Sequence, residues 1–292
     1  MRRLKNFFAV IGVLSTVVIA IIITINILSS ETPLPGKRIG VIKVKGIIKD
    51  SEKYVKALSR LEDDENVKAI VLRVDSPGGV VGACQEIHDK VAEIAKKKPV
   101  VVSMGSVAAS GGLYISVGAT KIVANPGTIT GSIGVIIQSF NVRKLAEKLG
   151  VEVITVKSGK YKDLLNPFKK PDPDSLNILQ SLINDSYEQF LKAVAEGRNL
   201  PVEQVRKFAD GRVFTGRYAK EIGLVDYLGN FDKAVEIAKK LSKCPECRVW
   251  EVKSKAGILQ KIIGEEGETL LKNLLRLSEG RVEETYLMYI LN

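Results

Sequence analysis

Histidine is almost missing from this 292-residue chain, where His88 stands alone. A Ser-His-Asp triad would have to be built on that single imidazole. Its neighbours Ile87 and Val91 place it on a helix, in the setting of an ordinary surface or half-buried histidine. Cysteine is nearly as scarce: Cys84, Cys244 and Cys247. Cys244-Pro245-Glu246-Cys247 is a lone C-x-x-C, and a structural zinc site would need two further ligands that the chain does not offer. A local disulfide is the alternative if the domain faces an oxidising compartment. Cys84 reads as a small core residue. The chain has no Walker A sequence, which argues against ATP-driven unfolding of substrates. It also lacks a zinc-finger or RNA-binding fingerprint, so nucleic acid is not an expected partner. No cofactor and no metal are expected. The formal net charge of +11 is spread through mixed-sign sequence, with Arg2, Arg3 and Lys5 preceding the first acidic residue. Attraction to anionic lipid or to acidic surfaces is the simpler reading of that surplus.

What the chain does have, first, is one long apolar run. Phe7 to Leu28 is interrupted only by Ser15, Thr16, Thr24 and Asn26. As a helix it would extend about 33 Å, enough to span a bilayer. It is longer than the apolar part of a signal peptide and no A-x-A site follows, so an uncleaved transmembrane anchor is expected. The basic residues at 2, 3 and 5 put residues 1–6 in the cytoplasm and the rest of the chain outside, although Lys37 and Arg38 weaken the asymmetry. Residues 29–36, with Pro33 and Pro35, read as a stiff linker. A domain over 37–250 and a C-terminal extension over 251–292 follow.

Within the domain, strand and helix patterns alternate. Ile39 to Ile48 alternates like a strand, Val55, Leu58 and Leu61 recur at helical spacing, and Val67 to Val74 is a strand again. A helix from about Gly82 to Lys97, a buried strand Pro99 to Met104 and a short helix from Ser110 to Val117 continue the series. Further strands are expected at 121–124, 134–140 and 151–156, with helices near 142–149, 175–196, 200–205 and 231–240. Asp172 with Pro173 is a helix start signal. The alternation argues an α/β fold. In the extension, Ile258 to Ile263 and Leu270 to Leu275 form two amphipathic helix patterns that cover the domain's own core or meet membrane or a neighbouring subunit. Tyr286 to Leu291 is strand-like and apolar.

One stretch organises the chemistry: Met104-Gly105-Ser106-Val107-Ala108-Ala109-Ser110-Gly111-Gly112-Leu113-Tyr114-Ile115. Ser110 is the candidate nucleophile, and the glycines behind it let a ligand approach and leave amide N–H groups for a developing oxyanion. A tightly packed small-residue turn is the competing reading. Val74-Asp75-Ser76-Pro77-Gly78-Gly79 is a strand running into a turn that supplies a second such amide. A serine needs a base, and with His88 set aside lysine remains. Val153-Ile154-Thr155-Val156-Lys157-Ser158-Gly159-Lys160-Tyr161-Lys162-Asp163 ends in a lysine cluster. An ordinary lysine has a pKa of about 10.4, so a lysine base at neutral pH must be depressed by roughly 3 units. Asp75 and Asp163 are expected to be structural.

Together with Thr130-Gly131-Ser132-Ile133-Gly134, Asp210-Gly211-Arg212-Val213-Phe214-Thr215-Gly216 and Gly223-Leu224-Val225-Asp226, these stretches resemble the signal peptide peptidase A family of membrane-anchored serine proteases. The likeness runs from about Ile39 to Leu241. It implies a Clp-protease/crotonase-like fold of repeated ββα units. It also implies a dyad of Ser110 as nucleophile and Lys162 as base, with Lys160 the alternative. Ser132 would orient the lysine, and the N–H groups of Gly79 and Gly111 would form the oxyanion hole. The implied substrates are apolar peptides such as released signal peptides, and the implied assembly is a homo-oligomer. An acyl-CoA enzyme of the crotonase type and a catalytically silent membrane scaffold are the rival functions.

Overall fold

The computed structural model of the chain describes residues 36–252 and 288–290, which belong to one compact unit, together with Gly12 and Thr16. The anchor segment 7–28, those two residues apart, and the amphipathic patterns of 258–275 lie outside the described residues. Among the described residues no helix is long and apolar enough to cross a membrane.

The expected alternation forms, beginning with β1 (Arg38–Lys45), α1 (Glu52–Asp63), β2 (Val67–Ser76), β3 (Gly78–Val80), α2 (Val81–Ala95) and β4 (Val100–Ala109). It continues through α3 (Gly111–Val117), β5 (Lys121–Ala124), β6 (Ile129–Gly131), α4 (Arg143–Lys148), α5 (Pro173–Arg198) and α6 (Val202–Arg206). β7 (Val213–Thr215), α7 (Gly216–Glu221), β8 (Tyr227–Leu228), α8 (Phe231–Leu241), β9 (Arg248–Glu251) and β10 (Met288–Ile290) complete it. An eight-stranded sheet runs in the order β7-β6-β4-β2-β1-β9, with β5 also beside β4 and β8 beside β5. Every pairing in it is parallel except β6 with β7. Parallel neighbours need crossovers, and α1 and α2 supply them between β1, β2 and β4.

The β-branched runs are explained by burial on both faces of this sheet. Ile42, Val44, Ile70, Leu72, Val102 and Met104 face one core with the helices of the α1, α2 and α5 side. Their sequence neighbours Ile39, Val41, Val71 and Val101 face a second core closed by Ala234 and Ala238 of α8. Cys244 and Cys247 join that second core and form the local disulfide. The start of α5 follows its sequence signal: Asp172 accepts the Ser175 N–H at 3.0 Å and proline occupies the first turn.

Two expected strands do not form. Residues 134–140 carry one isolated bridge residue, Ile136, and 151–156 have no regular structure. Their period-2 pattern is real, but a strand needs a hydrogen-bonding neighbour and none within the described chain runs beside them. Val153, Ile154 and Val156 stay exposed, the last two at 82% and 95%. A third difference concerns the Ser-Pro-Gly-Gly turn: its glycines open the short strand β3.

The Gly223-to-Asp226 motif locks the sheet's edge. Asp226 accepts the Ile122 N–H at 2.8 Å and Lys121 Nζ at 3.1 Å, and meets the buried Arg198 guanidinium at 3.0 Å. Burial alone would raise the Asp226 carboxyl, but Arg198 foremost, with Ile122 and Lys121, outweighs it and holds the group below its ordinary value. Asp226→Asn is expected to cost about 3 kcal/mol at neutral pH, because Arg198 is left buried without its counter-charge. A depressed carboxyl stabilises fully above the unfolded value of about 3.9 and loses that contribution as pH falls through the folded value. Melting curves of the two proteins should therefore differ most near pH 7 and converge below about pH 4. A gap that stays constant down to acid pH would rule the ion pair out as its cause.

Candidate active site

β4 extends to Ala109, past the reach of β5, because its last three residues pair with β6. The chain then turns sharply at Ser110 into α3, with φ 52° and ψ −117°. A non-glycine residue at positive φ is strained, and such strain concentrates where a side chain must be presented. The surroundings hold it there: Ser110 N–H donates to Gly131 O at 2.8 Å, and Ser110 O accepts from Tyr114 N–H at 2.8 Å. Ser110 Oγ is fully buried and has no hydrogen-bond partner among the described residues. Buried polar atoms are seldom left this way, and exceptions mark sites of chemistry or strain.

The two expected oxyanion glycines lie against each other. A methyl group on Gly111 would come within 3.0 Å of the Gly79 nitrogen and 2.5 Å of Cys84 Sγ, so only glycine fits. A methyl group on Gly79 would sit 2.0 Å from Ile48 O. Gly111 is the first residue of α3, and its N–H has no intrahelical acceptor. Gly79 and Gly111 thus place two backbone amides side by side, directly after Ser110 in the case of Gly111. Cys84 is no rival nucleophile, because burial pushes its thiol up to about 12.

Ser132 follows Gly131 on the same side. Its backbone has φ 50°, and its N–H donates to Arg212 O at 2.8 Å, so the Asp210-to-Gly216 motif clamps it. Within that clamp Asp210 is hydrogen-bonded by Arg212, which holds its carboxyl down to about 2. Ser132 borders a cavity of about 470 Å3 that Asn184, Tyr187 and Asp210 also line. Asn184 and Tyr187 escaped the sequence reading: they are α5 residues about fifty positions away, and only the packing of α5 onto the site brings them there.

The lysines are placed elsewhere. Lys162 is exposed in an irregular segment, and its amine has no hydrogen bond to Ser110. Lys160 donates to Asp174 at 2.5 Å, which with Tyr161 raises its pKa above the ordinary lysine value. Asp163 is hydrogen-bonded by Lys157 and held below the usual carboxylate range, a structural role as expected. Asp75 accepts the Val107 N–H at 3.1 Å, likewise structural. His88 bonds Asp89 at 2.9 Å and packs edge-on to Tyr114 at 5.0 Å, without reaching Ser110 Oγ. The backbones of Ser110, Gly79, Gly111 and Ser132 thus adjoin within one chain, whereas Lys162 makes no hydrogen bond to Ser110.

With that geometry in view, the chain resembles known proteins along most of the domain. A family model described as peptidase family S49 matches residues 92–244, a span holding Ser110, Ser132 and Lys162. A Clp protease model matches residues 37–129, a span holding Gly79 and Ser110. A Synechocystis protein named as a protease is 48% identical over 208 residues, covering 70% of this chain and 75% of that one. An Enterococcus faecium protein named as signal peptide peptidase SppA is 37% identical over 246 residues, 78% of this chain and 72% of its own. Protease 4 of Salmonella typhi is 42% identical over 226 residues, 74% of this chain but 36% of its own.

Proposed function

The chain belongs to peptidase family S49, the family of signal peptide peptidase A, and is a serine peptidase; on that premise we propose that it is a membrane-anchored endopeptidase for apolar peptides, signal peptides left in the membrane among them. The observation that carries the catalytic part is the buried, unpartnered Ser110 hydroxyl beside the Gly79 and Gly111 amides. Ser110 attacks the peptide carbonyl, the two glycine N–H groups receive the oxyanion, and a lysine takes the serine proton and passes it to the leaving amine. The same lysine then activates the deacylating water.

Lys162 is that lysine. Lys160 is the poorer base, since Asp174 favours its charged form. Lys162 acts from a neighbouring copy of the chain: it is exposed and makes no hydrogen bond to Ser110 within its own chain, and its segment exposes Ile154 and Val156. An unpaired apolar stretch of that kind invites pairing with another copy, and burial there favours a neutral amine. Ser132, at the edge of the cavity that Asn184 and Tyr187 also line, orients the incoming amine.

The run 7–28 anchors the chain with residues 1–6 in the cytoplasm and the peptidase domain outside. Location then selects substrates already in or near the bilayer. The test uses the full chain in detergent micelles with an apolar fluorogenic peptide, a polar control of equal length and an acyl-CoA thioester. Preference for the apolar peptide by about tenfold or more in kcat/KM is expected, the discrimination that a few buried methylenes supply. Turnover of the thioester with neither peptide cut would remove the reading.

A further inference from the structure

The cavity that Ser132 borders is lined by no basic residue. Asp210 is the single acid among its lining residues, and Tyr187 is the one other titratable group. The Tyr187 hydroxyl donates to Ala209 O at 2.7 Å, and burial raises its pKa above the ordinary phenol value, so it stays neutral. A cavity with one carboxylate and no cation is suited to receive an amine, yet that carboxylate is already occupied. Arg212 turns back on it and donates Nε to both oxygens, at 2.7 and 2.9 Å, with Nη2 on the second as well. The Arg212 N–H adds a further bond at 3.2 Å. Both side chains are half exposed or more in the single chain, where such a pair adds little to stability.

The same masking recurs on the segment that carries Lys162. Asp163, its sequence neighbour, is hydrogen-bonded by Lys157 and has Lys169 at 3.9 Å. Asp174 is taken by Lys160, and Asp172 has Lys169 at 3.8 Å. Each of these carboxylates already has a cation other than Lys162.

We propose that Arg212 is a positioning residue for the base: it occupies Asp210 so that the cavity receives the Lys162 amine of the neighbouring copy in its neutral form. The inference rests on the reading of Lys162 as that base. Asp210 is charged at any working pH, and a bare carboxylate within about 4–6 Å of an amine favours the ammonium by roughly one to three pH units. An ammonium cannot take the Ser110 proton. The guanidinium offsets that pull. Arg212 also accepts the Ser132 N–H through its carbonyl at 2.8 Å, so one residue fixes the serine that orients the amine and screens the acid beside it. The remaining charged or titratable groups around the pair are Arg206 and Glu188, bonded to each other at 2.7 and 2.9 Å, and the Tyr218 phenol of α7, which acts on Arg212.

The experiment measures kcat/KM on the apolar peptide from about pH 6 to pH 10 with the full chain in detergent, and the melting temperature of each variant beside it. Arg212→Gln is expected to move the acid limb of the profile up by about one pH unit, with about tenfold lost near neutral pH and regained at alkaline pH. Arg212→Lys keeps the charge and should keep the wild-type limb. Asp210→Asn should move the limb down, because the unpaired guanidinium then opposes the ammonium. The Arg212→Gln/Asp210→Asn double variant should bring it back near the wild-type position. A merely structural role would lower kcat at every pH and move no limb. An acid limb unmoved in Arg212→Gln, or in Asp210→Asn where Arg212→Gln does not fold, would overturn the proposal. Lys162→Ala in the same series separates the two failures. If it is inactive while the limb stays put in the other variants, the proposal alone falls; if it keeps wild-type turnover, the reading of Lys162 as base falls too.

Discussion

Ser110→Ala is expected to leave a protein that folds, assembles and cuts nothing, with kcat/KM down by at least about 10^4-fold. The size follows from the hydroxyl's place in the mechanism: it forms the covalent bond, and the oxyanion amides alone give little turnover without it. The same change should not weaken the fold. Ser110 Oγ makes no hydrogen bond among the described residues, so its removal deletes a buried unsatisfied group and should stabilise by about 1 kcal/mol. The backbone strain at φ 52° is unaffected, because alanine meets the same restriction there. Hydrolysis of the apolar peptide and the melting temperature, taken on one preparation, check both halves. An inactive protein that also melts several degrees lower would point to a structural serine instead.

The second large effect is Lys162→Ala, again a loss of about 10^3-fold or more, with a signature that tells where the base comes from. Neither Lys162→Ala nor Ser110→Ala is active alone. When equal amounts are co-assembled, a site built from Ser110 of one copy and Lys162 of the next is whole in about one quarter of cases. Recovery near a quarter of wild-type activity is expected, against none if each chain completes its own site. His88→Ala in the same assay should keep full activity, since its imidazole serves Asp89 and Tyr114.

Much of the fold was legible because burial on both faces of a parallel sheet leaves plain marks. The Val67-to-Val74 and Pro99-to-Met104 runs could be read as strands with no reference to their partners, and Asp172-Pro173 announced α5. The errors share one cause. Residues 134–140 and 151–156 have strand-like composition, yet a strand is defined by its neighbour, and the described chain provides none. The glycines of Ser-Pro-Gly-Gly read as a turn because glycine signals a break; pairing with β10 and the bridge to Ile48 make them a strand.

The candidate site divides in the same way. The types of group it needs were fixed by composition and local order: a lone histidine excludes most triads, and a serine before two glycines at a strand's end offers a nucleophile beside amides. That Gly79 and Gly111 lie against one another is a matter of packing, since thirty-two positions separate them and the β2–β4 pairing is what brings the segments leading into β3 and α3 side by side. That Ser110 is buried without a partner among the described residues, Lys162 exposed and Tyr289 opposite Gly79 could not be read from residue order. Such juxtapositions are set by which strand edges remain open after the sheet has formed, and an open edge is a property of the whole fold.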